Sequence, residues 1–373
     1  MMKTFHDIYR GRRVLVTGHT GFKGSWMSYW LSLLGAEVSG LALDPDDDQK
    51  LFEALRLHDR LAADHRLNIC DRAAVESAFG SAAPEIVFHL AAQSLVRRSY
   101  EEPVGTFAAN VLGVVHVLEA VRKAAKPCIV VVVSTDKCYE NQNRLQGYNE
   151  LDRLGGHDPY SASKACAEIV TSSYRQSFFA SMPQIKLSSA RAGNVVGGGD
   201  WSKDRIVPDC IRALRRNEPI PVRNKTATRP WQHVLEPLSG YLWLGAAISA
   251  PQLLHRSDPD EFCSAFNFGP NLASNRTVEQ VVAELLKHTK GSWADCSDPN
   301  APHEAAKLSL TIDKAFHLLD WSPTWSFGQT IAKTFEWYDA ENAEKDTAEV
   351  TRRQIEEYCA AAAQAGQTWA SKT

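Results

Sequence analysis

The sequence has no uninterrupted apolar run approaching the ~18 residues that span a bilayer. Its opening, MMKTFHDIYRGRR, has basic residues but no apolar stretch before a cleavage site. The expectation is a cytoplasmic protein with no membrane partner. There is no excess of one charge: 41 Lys+Arg stand against 44 Asp+Glu, a net −3. That balance gives no reason to expect nucleic acid. There is no CxxC. Cys70, Cys128, Cys138, Cys166, Cys210, Cys263, Cys296 and Cys359 are scattered, without the patterned spacing of a zinc or disulfide framework. Free structural thiols and no metal are expected. Internal repeats and low-complexity linkers are also lacking.

What remains is ordinary globular material, 44% hydrophobic and 23% charged. At 373 residues it suffices for one large domain or two smaller ones. The first half alternates short apolar runs with helical stretches. Strands are expected at 13–17, 37–43, 86–90, 129–134 and 185–190, and helices at 25–34, 111–124 and 162–177. Continuous apolar strands between helices mark a parallel sheet covered on both faces, an α/β doubly wound fold. After Ala190 the pattern changes. Residues 193–200 (GNVVGGGD) are too glycine-rich for regular structure, and 217–231 form a Pro- and Arg-rich loop. Helices follow at 205–217, 235–249 and 278–288, with a short strand at 266–268. The expected division is a nucleotide-binding domain from 1–192 and 232–268, a smaller mixed α/β lobe from 193–231 and 269–340, and an amphipathic helical tail over 341–373.

The first strand runs into Thr17-Gly18-His19-Thr20-Gly21-Phe22-Lys23-Gly24, which opens the first helix. Gly18 permits the tight turn, Gly21 a close backbone approach to a pyrophosphate, and Gly24 the packing of helix on strand. The helix N-terminus adds free N–H groups and a positive dipole end. Asp44 lies 20 residues beyond Gly24, at the end of strand two, where an acid binds ribose hydroxyls. Asp46, Asp47 and Asp48 follow with no arginine nearby in sequence, so NAD is favoured over NADP. A solvated acidic loop explains the run equally well.

Tyr160 and Lys164 stand at i and i+4, on one face of a helix. Of ten tyrosines only Tyr160 has a lysine four residues later. An ammonium ~4 Å from the phenol, at an effective dielectric of ~20, favours phenolate by roughly 4 kcal/mol, or about three pKa units. The expectation is a tyrosine lowered into the range of a working base.

With these motifs the chain resembles the extended short-chain dehydrogenase/reductases, which are Rossmann-like. The resemblance spans nearly the whole length and includes His89-Leu90-Ala91-Ala92-Gln93, Asn110 and Ser134-Thr135. Within that superfamily it is most similar to the sugar-nucleotide 4,6-dehydratases that act on CDP-glucose. The similarity rests on GHTGFKGSW from Gly18, STDKCYEN from Ser134, DPYSASKACAE from Asp158, RAGNVVGGGDW from Arg191, RIVPDC from Arg205 and RPWQHVLEPLSGYL from Arg229. Relatives acting on dTDP-glucose carry Asp-Glu where this chain has Asp136-Lys137.

The resemblance implies a lyase, a hydro-lyase of deoxysugar and lipopolysaccharide O-antigen biosynthesis. Thr135, Asp136, Lys137, Tyr160 and Lys164 would be catalytic. Gly18, Thr20, Gly21, Phe22, Lys23, Gly24, Asp44, Asp71, Leu90, Ala91, Ala92, Gln93, Asn110, Ser134, Tyr160 and Lys164 would hold NAD. Ser94, Thr135, Asn194, Arg205, Val207, Arg223 and Arg229 would hold the nucleotide sugar, Arg205 and Val207 in the segment that brackets the base. Lys225 stands between the two loop arginines, and His303 and Glu304 resemble a segment closing over the sugar. His233 suits a cap or a core position as well as a ligand contact.

Lys137 is either the C5 base or a stabiliser of the enolate, since a lysine near ~10.4 in water becomes a base only when burial or nearby positive charge lowers it. A homodimer, or a dimer of dimers, is implied through the helix after strand four, where Val111, Val114, Val115 and Leu118 are also consistent with simple core. Two other readings stay open: another sugar-nucleotide dehydratase or 4-epimerase, and an NAD-binding sensor without turnover.

Overall fold

Seven parallel strands form the centre of the protein, seen in a computed structural model that describes residues 2–45, 50–297 and 308–371. In chain order the strands are β1 (Arg13–Thr17), β2 (Glu37–Ala42), β3 (Ala63–Arg66), β4 (Ile86–His89), β5 (Cys128–Val133), β6 (Ile185–Ala192), β7 (Val195–Val196), β8 (Ile220–Val222), β9 (Thr228–Pro230), β10 (Gln232–His233), β11 (Ala265–Phe268), β12 (Asn275–Thr277) and β13 (Trp293–Asp295). The large sheet has the order β11-β6-β5-β4-β1-β2-β3. Its strand order reverses between β1 and β4, and such a switch opens a crevice beyond the carboxyl ends of the two strands.

The helices are α1 (Phe22–Leu33), α2 (Leu51–Ala54), α3 (Arg72–Ala82), α4 (Val96–Glu101), α5 (Pro103–Phe107), α6 (Gly113–Ala124), α7 (Pro159–Ser177), α8 (Ile206–Arg215), α9 (Leu235–Ser249), α10 (Val278–Leu285), α11 (Asp313–Leu319), α12 (Phe327–Asn342) and α13 (Thr347–Gln364). Alternate strand residues point to opposite faces. Val14, Val16, Phe88 and Val131 therefore join α1, α9 and α13 in one core. Leu15, Val87, Val130 and Val132 join α3, α6 and α7 in another. The pairs β7–β10, β9–β12 and β8–β13, with α8 and α10, build the smaller lobe over the crevice.

Several expectations change in this frame. The helix expected at 25–34 begins at Phe22, with Gly21 as its N-cap, so its free amides sit within the glycine loop. The helix expected at 111–124 is the end of a longer one. α5, a π-helical stretch at Ala108–Leu112 and α6 run on continuously, and Pro103–Ala124 is long and apolar enough to cross a membrane by length and composition. In this fold its Val114, Val117, Leu118 and Val121 are buried with α3. Val114 and Leu118 are thus core, while Leu112 on the far side is exposed. The short strand expected at 266–268 is β11, the edge of the large sheet, paired with β6.

The segment expected as a tail is part of the core. Trp369 stacks on Phe5 at 5.0 Å and on Tyr358 of α13 at 5.9 Å, all three fully buried. Tyr358 reaches Glu236 at the start of α9, 2.7 Å away, and Glu236 also accepts the backbone N–H groups of Thr324 and Trp325 at 2.9 and 2.6 Å. His233 is closed in between Trp26 and Trp325 and accepts the Leu235 N–H, so core and cap account for it.

Burial pushes the Glu236 carboxyl up to about 7, against the hydrogen bonds that favour its charge. A folded value above the unfolded one means stability that is complete below about 4.5 and lost as pH rises through about 7. The expected loss is at most about 3 kcal/mol. Urea unfolding of Glu236→Gln, whose side chain stays neutral, should show a flatter decline between these limits than the parent. Equal slopes would remove Glu236 from the account.

Candidate active site

The crevice at the switch is a cleft of about 2000 Å³ between sheet and lobe. Its floor is the glycine loop. Gly18 has φ +74°, and a Cβ there would lie 2.8 Å from the Ala91 amide nitrogen. A Cβ on Gly24 would lie 2.0 Å from the Gly18 carbonyl oxygen. Side chains at either position would separate β1 from β4 or α1 from β1. Gly21 is different: a Cβ there meets only the Gly18 oxygen at 3.4 Å, so its bare face is open to the cleft. The Thr17 hydroxyl ties the two strand ends, pairing with His89 Nδ1 at 2.7 Å and accepting the Ala91 N–H at 3.1 Å. Burial and Lys164 push His89 down to about 3, so it is neutral there.

Thr20, Phe22, Lys23, Asp44, Leu90, Ala91, Ala92, Gln93, Ser94 and Ser134 all line the cleft. Two expected cofactor residues do not. Asp71 is exposed and caps α3, accepting the Ala74 N–H at 3.1 Å. Asn68, Ile69 and Cys70 occupy the wall instead, because the chain turns into α3 before Asp71 can face inward. Asn110 is fully buried behind the wall. It accepts the Gln93 N–H at 2.8 Å and donates to the Gln93 carbonyl and the Ser163 hydroxyl, linking the β4 loop to α7. It positions residues that face the cleft.

The acid at the end of strand two has an arginine neighbour that sequence spacing hid. Arg66 of β3 comes within 3.4 Å of Asp44 and stacks over Phe52 at 4.5 Å. Its guanidinium is held in a two-pronged pair by Asp64, at 2.8 Å on each side, so its charge is largely answered. Asp46, Asp47 and Asp48 lie outside the described residues, as do His303 and Glu304.

The residues expected to be catalytic come together where β5 ends. Thr135 follows the strand and starts a single 3-10 turn, placing Asp136 and Lys137 at its rim. Thr135 donates to Asp136 Oδ1 at 3.0 Å. Tyr160 and Lys164 come from the first turns of α7, which Asp158 caps at 2.9 Å. Tyr160 is not lowered, as the i,i+4 spacing suggested. Burial pushes it up to about 12, offset in part by the Thr135 hydroxyl. Lys164 instead donates to the Val133 carbonyl at 3.0 Å, and burial pulls it down to about 8. Lys23 is pulled down to about 8 as well, by burial and by the charges of Arg205 and Lys164. Asp136 Oδ2, Ser134 Oγ and Asn194 Oδ1 are buried without a hydrogen bond among the described residues. Asp136 and Asn194 line the cleft, while the Ser134 hydroxyl lies toward Glu168.

On the lobe side Asn194, Arg205, Val207, Arg223 and Arg229 line the cleft. Arg205 pairs with Asp200 at 2.7 Å, and its charge bears on Tyr160 and Lys23 across the cleft. Arg223 is held by Asp204 and, at 3.0 Å, by Asp209. Lys225 pairs with Asp295 at 2.8 Å. Arg229 is buried, with its Nη1 on the Thr228 carbonyl at 3.0 Å. Sequence reasoning named Lys23 and Arg205 but missed the Asp200–Arg205 pair and the Glu168–Arg191 pair behind α7. Only Glu168 had a legible signal, its place four residues after Lys164.

Residues 15–334 match the model of the GDP-mannose 4,6 dehydratase family. The chain is 44% identical over 361 residues to a CDP-glucose 4,6-dehydratase of Salmonella typhimurium, covering 95% of this chain and 98% of that one. It is 28% identical to a probable dTDP-glucose 4,6-dehydratase of Sinorhizobium fredii, over 87% and 92% of the two chains. A solved dTDP-glucose 4,6-dehydratase from Bacillus anthracis, in complex with NAD, shares the fold with a TM-score of 0.71 at 21% identity, covering 90% of this chain and 99% of that one.

The glycine geometry separates two variants. Gly24→Ala should cost roughly 2–3 kcal/mol in urea unfolding, because its overlap is with fixed backbone. Gly21→Ala should cost less than about 1 kcal/mol. Equal costs would contradict the assigned roles.

Proposed function

The chain belongs to the GDP-mannose 4,6 dehydratase family, and from that membership we propose that it converts CDP-D-glucose to CDP-4-keto-6-deoxy-D-glucose and water with NAD as resident cofactor. The observation that carries this reading is the placing of one hydroxyl, that of Thr135, between the buried phenol of Tyr160 and the carboxylate of Asp136. An enzyme that only oxidises needs the phenol. The adjoining Asp136-Lys137 adds an acid and a base for loss of water, and the CDP-glucose relative at 44% identity favours that nucleotide.

The cofactor's demands are met by residues of the cleft. The open face at Gly21 and the free amides of α1 suit a pyrophosphate, Asp44 suits the ribose, and Lys164 and Tyr160 suit the second ribose. NAD+, when bound, supplies the acceptor for the C4 hydride, a positive charge beside the phenol, and the hydride that returns to C6. Tyr160, once ionised, takes the proton of the C4 hydroxyl while Thr135 orients that oxygen. The C4 ketone acidifies C5–H, and Lys137, when neutral, or a water it holds, takes that proton and returns one to C5 as hydride reaches C6. Asp136, when protonated, gives its proton to the departing C6 hydroxyl, which leaves as water. Arg205, Arg223 and Arg229 bring cationic forks to the diphosphate, with Asn194 beside them.

Exposed Val104, Phe107 and Leu112 on the α5–α6 helix, with Ile169 and Phe178 on or just after α7, support a homodimer through these helices. A cytoplasmic role in deoxysugar supply for surface polysaccharide such as O-antigen accords with this substrate.

Incubation with a panel of CDP-, dTDP-, GDP- and UDP-hexoses, read by mass spectrometry, should give loss of one water from CDP-glucose above all others. Isomerisation without loss of mass would indicate a 4-epimerase, and NAD binding without any turnover a sensor. Tyr160→Phe should lower kcat at least about a hundredfold with the fold intact. Lys137→Met should abolish exchange of C5–H with solvent deuterium. Undiminished exchange would leave Lys137 only the part of an enolate stabiliser.

A further inference from the structure

Behind the catalytic helix lies an ion pair that the proposed chemistry does not use. Glu168 is four residues beyond Lys164 on α7, so the two side chains share one face of the helix. Its Oε2 accepts from Arg191 of β6 at 2.9 Å and from the Ser189 hydroxyl at 2.7 Å. The paired side chains are only 4% and 3% exposed, so this is an ion pair carried into the interior. Arg191 cannot turn away. It donates to the Tyr139 hydroxyl at 2.7 Å and lies over that ring at 4.9 Å, and Tyr139 in turn donates to Asn267 of β11 at 2.8 Å.

We propose that this pair is a positioning charge for the catalytic lysine: Arg191 keeps Glu168 an anion, and Glu168 keeps Lys164 an ammonium aimed at the Val133 carbonyl. The inference rests on the proposed role of Tyr160 and Lys164. A buried pair is weak evidence for stability, since an apolar pair of similar volume often serves as well. The surroundings show what the charge acts on. Around Glu168 stand Ser189 and Arg191 of β6, Ser134 after β5, Cys138 beyond it, and Arg175 farther along α7. Around Lys164 stand the Val133 carbonyl of β5, His89 of β4, Lys23 of α1, Cys138 and Glu168. Burial pushes the Cys138 thiol well up, so it carries no charge there. His89 is neutral and Lys23 is a second cation. Glu168, one helical turn from Lys164, is therefore the anion whose charge opposes the pull of burial on it.

Three variants test this. Glu168→Gln removes the anion, Arg191→Lys retains the cation, and Glu168→Gln/Arg191→Met removes both charges so that no unpaired charge is left in the interior. Lys164 is titrated directly by NMR of lysine labelled with carbon-13 at the ε position, its signal assigned by loss in Lys164→Met. NAD+ binding is measured across the same pH range. In Glu168→Gln and in the double variant the Lys164 midpoint should fall by about one unit or more, and NAD+ affinity near pH 8 should fall about tenfold relative to the parent. Arg191→Lys should retain both. A folded double variant in which Lys164 titrates as in the parent would overturn the proposal, and would reduce the pair to packing. If the parent binds no NAD+, the functional reading fails, while the Lys164 midpoint still decides this inference.

Discussion

Burial of charge governs this site. The cleft buries a phenol and a lysine, Tyr160 and Lys164, with Lys23 and Arg205 half-buried beside them, and removal from water drives an ionisable group toward its neutral form. Tyr160 is raised to about 12, and Lys164 and Lys23 are lowered to about 8. The neighbouring contacts read as answers to that pressure. Thr135 bonds beside the phenol, Asp200 pairs with Arg205, and Glu168 with Arg191 stands behind Lys164. Burial outweighs the Tyr160–Lys164 spacing, because Lys164 is turned to the Val133 carbonyl and only the Thr135 hydroxyl bonds beside the phenol.

The fold creates this chamber by bringing distant segments to one rim. β1 and β4 meet at Thr17, Gly18, His89 and Ala91, with no room for a side chain on Gly18. β5 ends in Thr135-Asp136-Lys137, and α7 returns Tyr160 and Lys164 to the same point. The lobe contributes Asn194, Arg205 and Arg229 from the other side. Long-range ties hold the rim together: Asn110 fastens the β4 loop to Ser163, and Tyr139 fastens the β5 loop to Asn267. The C-terminal segment anchors the opposite face through Trp369, Tyr358 and Glu236.

Much of this was legible in the sequence. Apolar runs closed by glycine marked the strands, and TGHTGFKG, STDK and YSASK marked the cleft, because each needs a particular residue at a fixed spacing along one element. Expectations failed where function depends on which way the chain turns after an element. Asp71 follows β3 as a ribose- or adenine-binding acid would, yet it caps α3 and leaves the wall to Asn68, Ile69 and Cys70. Arg66 is distant from Asp44 in sequence but adjacent across the β2–β3 pairing. The 341–373 segment read only as an amphipathic helical tail because its partners, Phe5, Trp30 and Glu236, lie far away along the chain. Amphipathicity reveals that a face is buried, not against what.

The central claim is a transient oxidation that ends in loss of water. CDP-glucose carrying deuterium at C4 tests it most directly. The label should appear at C6 of the 4-keto-6-deoxy product, within the same molecule and without net consumption of NAD. Label retained at C4, or label lost to added NAD, would contradict it.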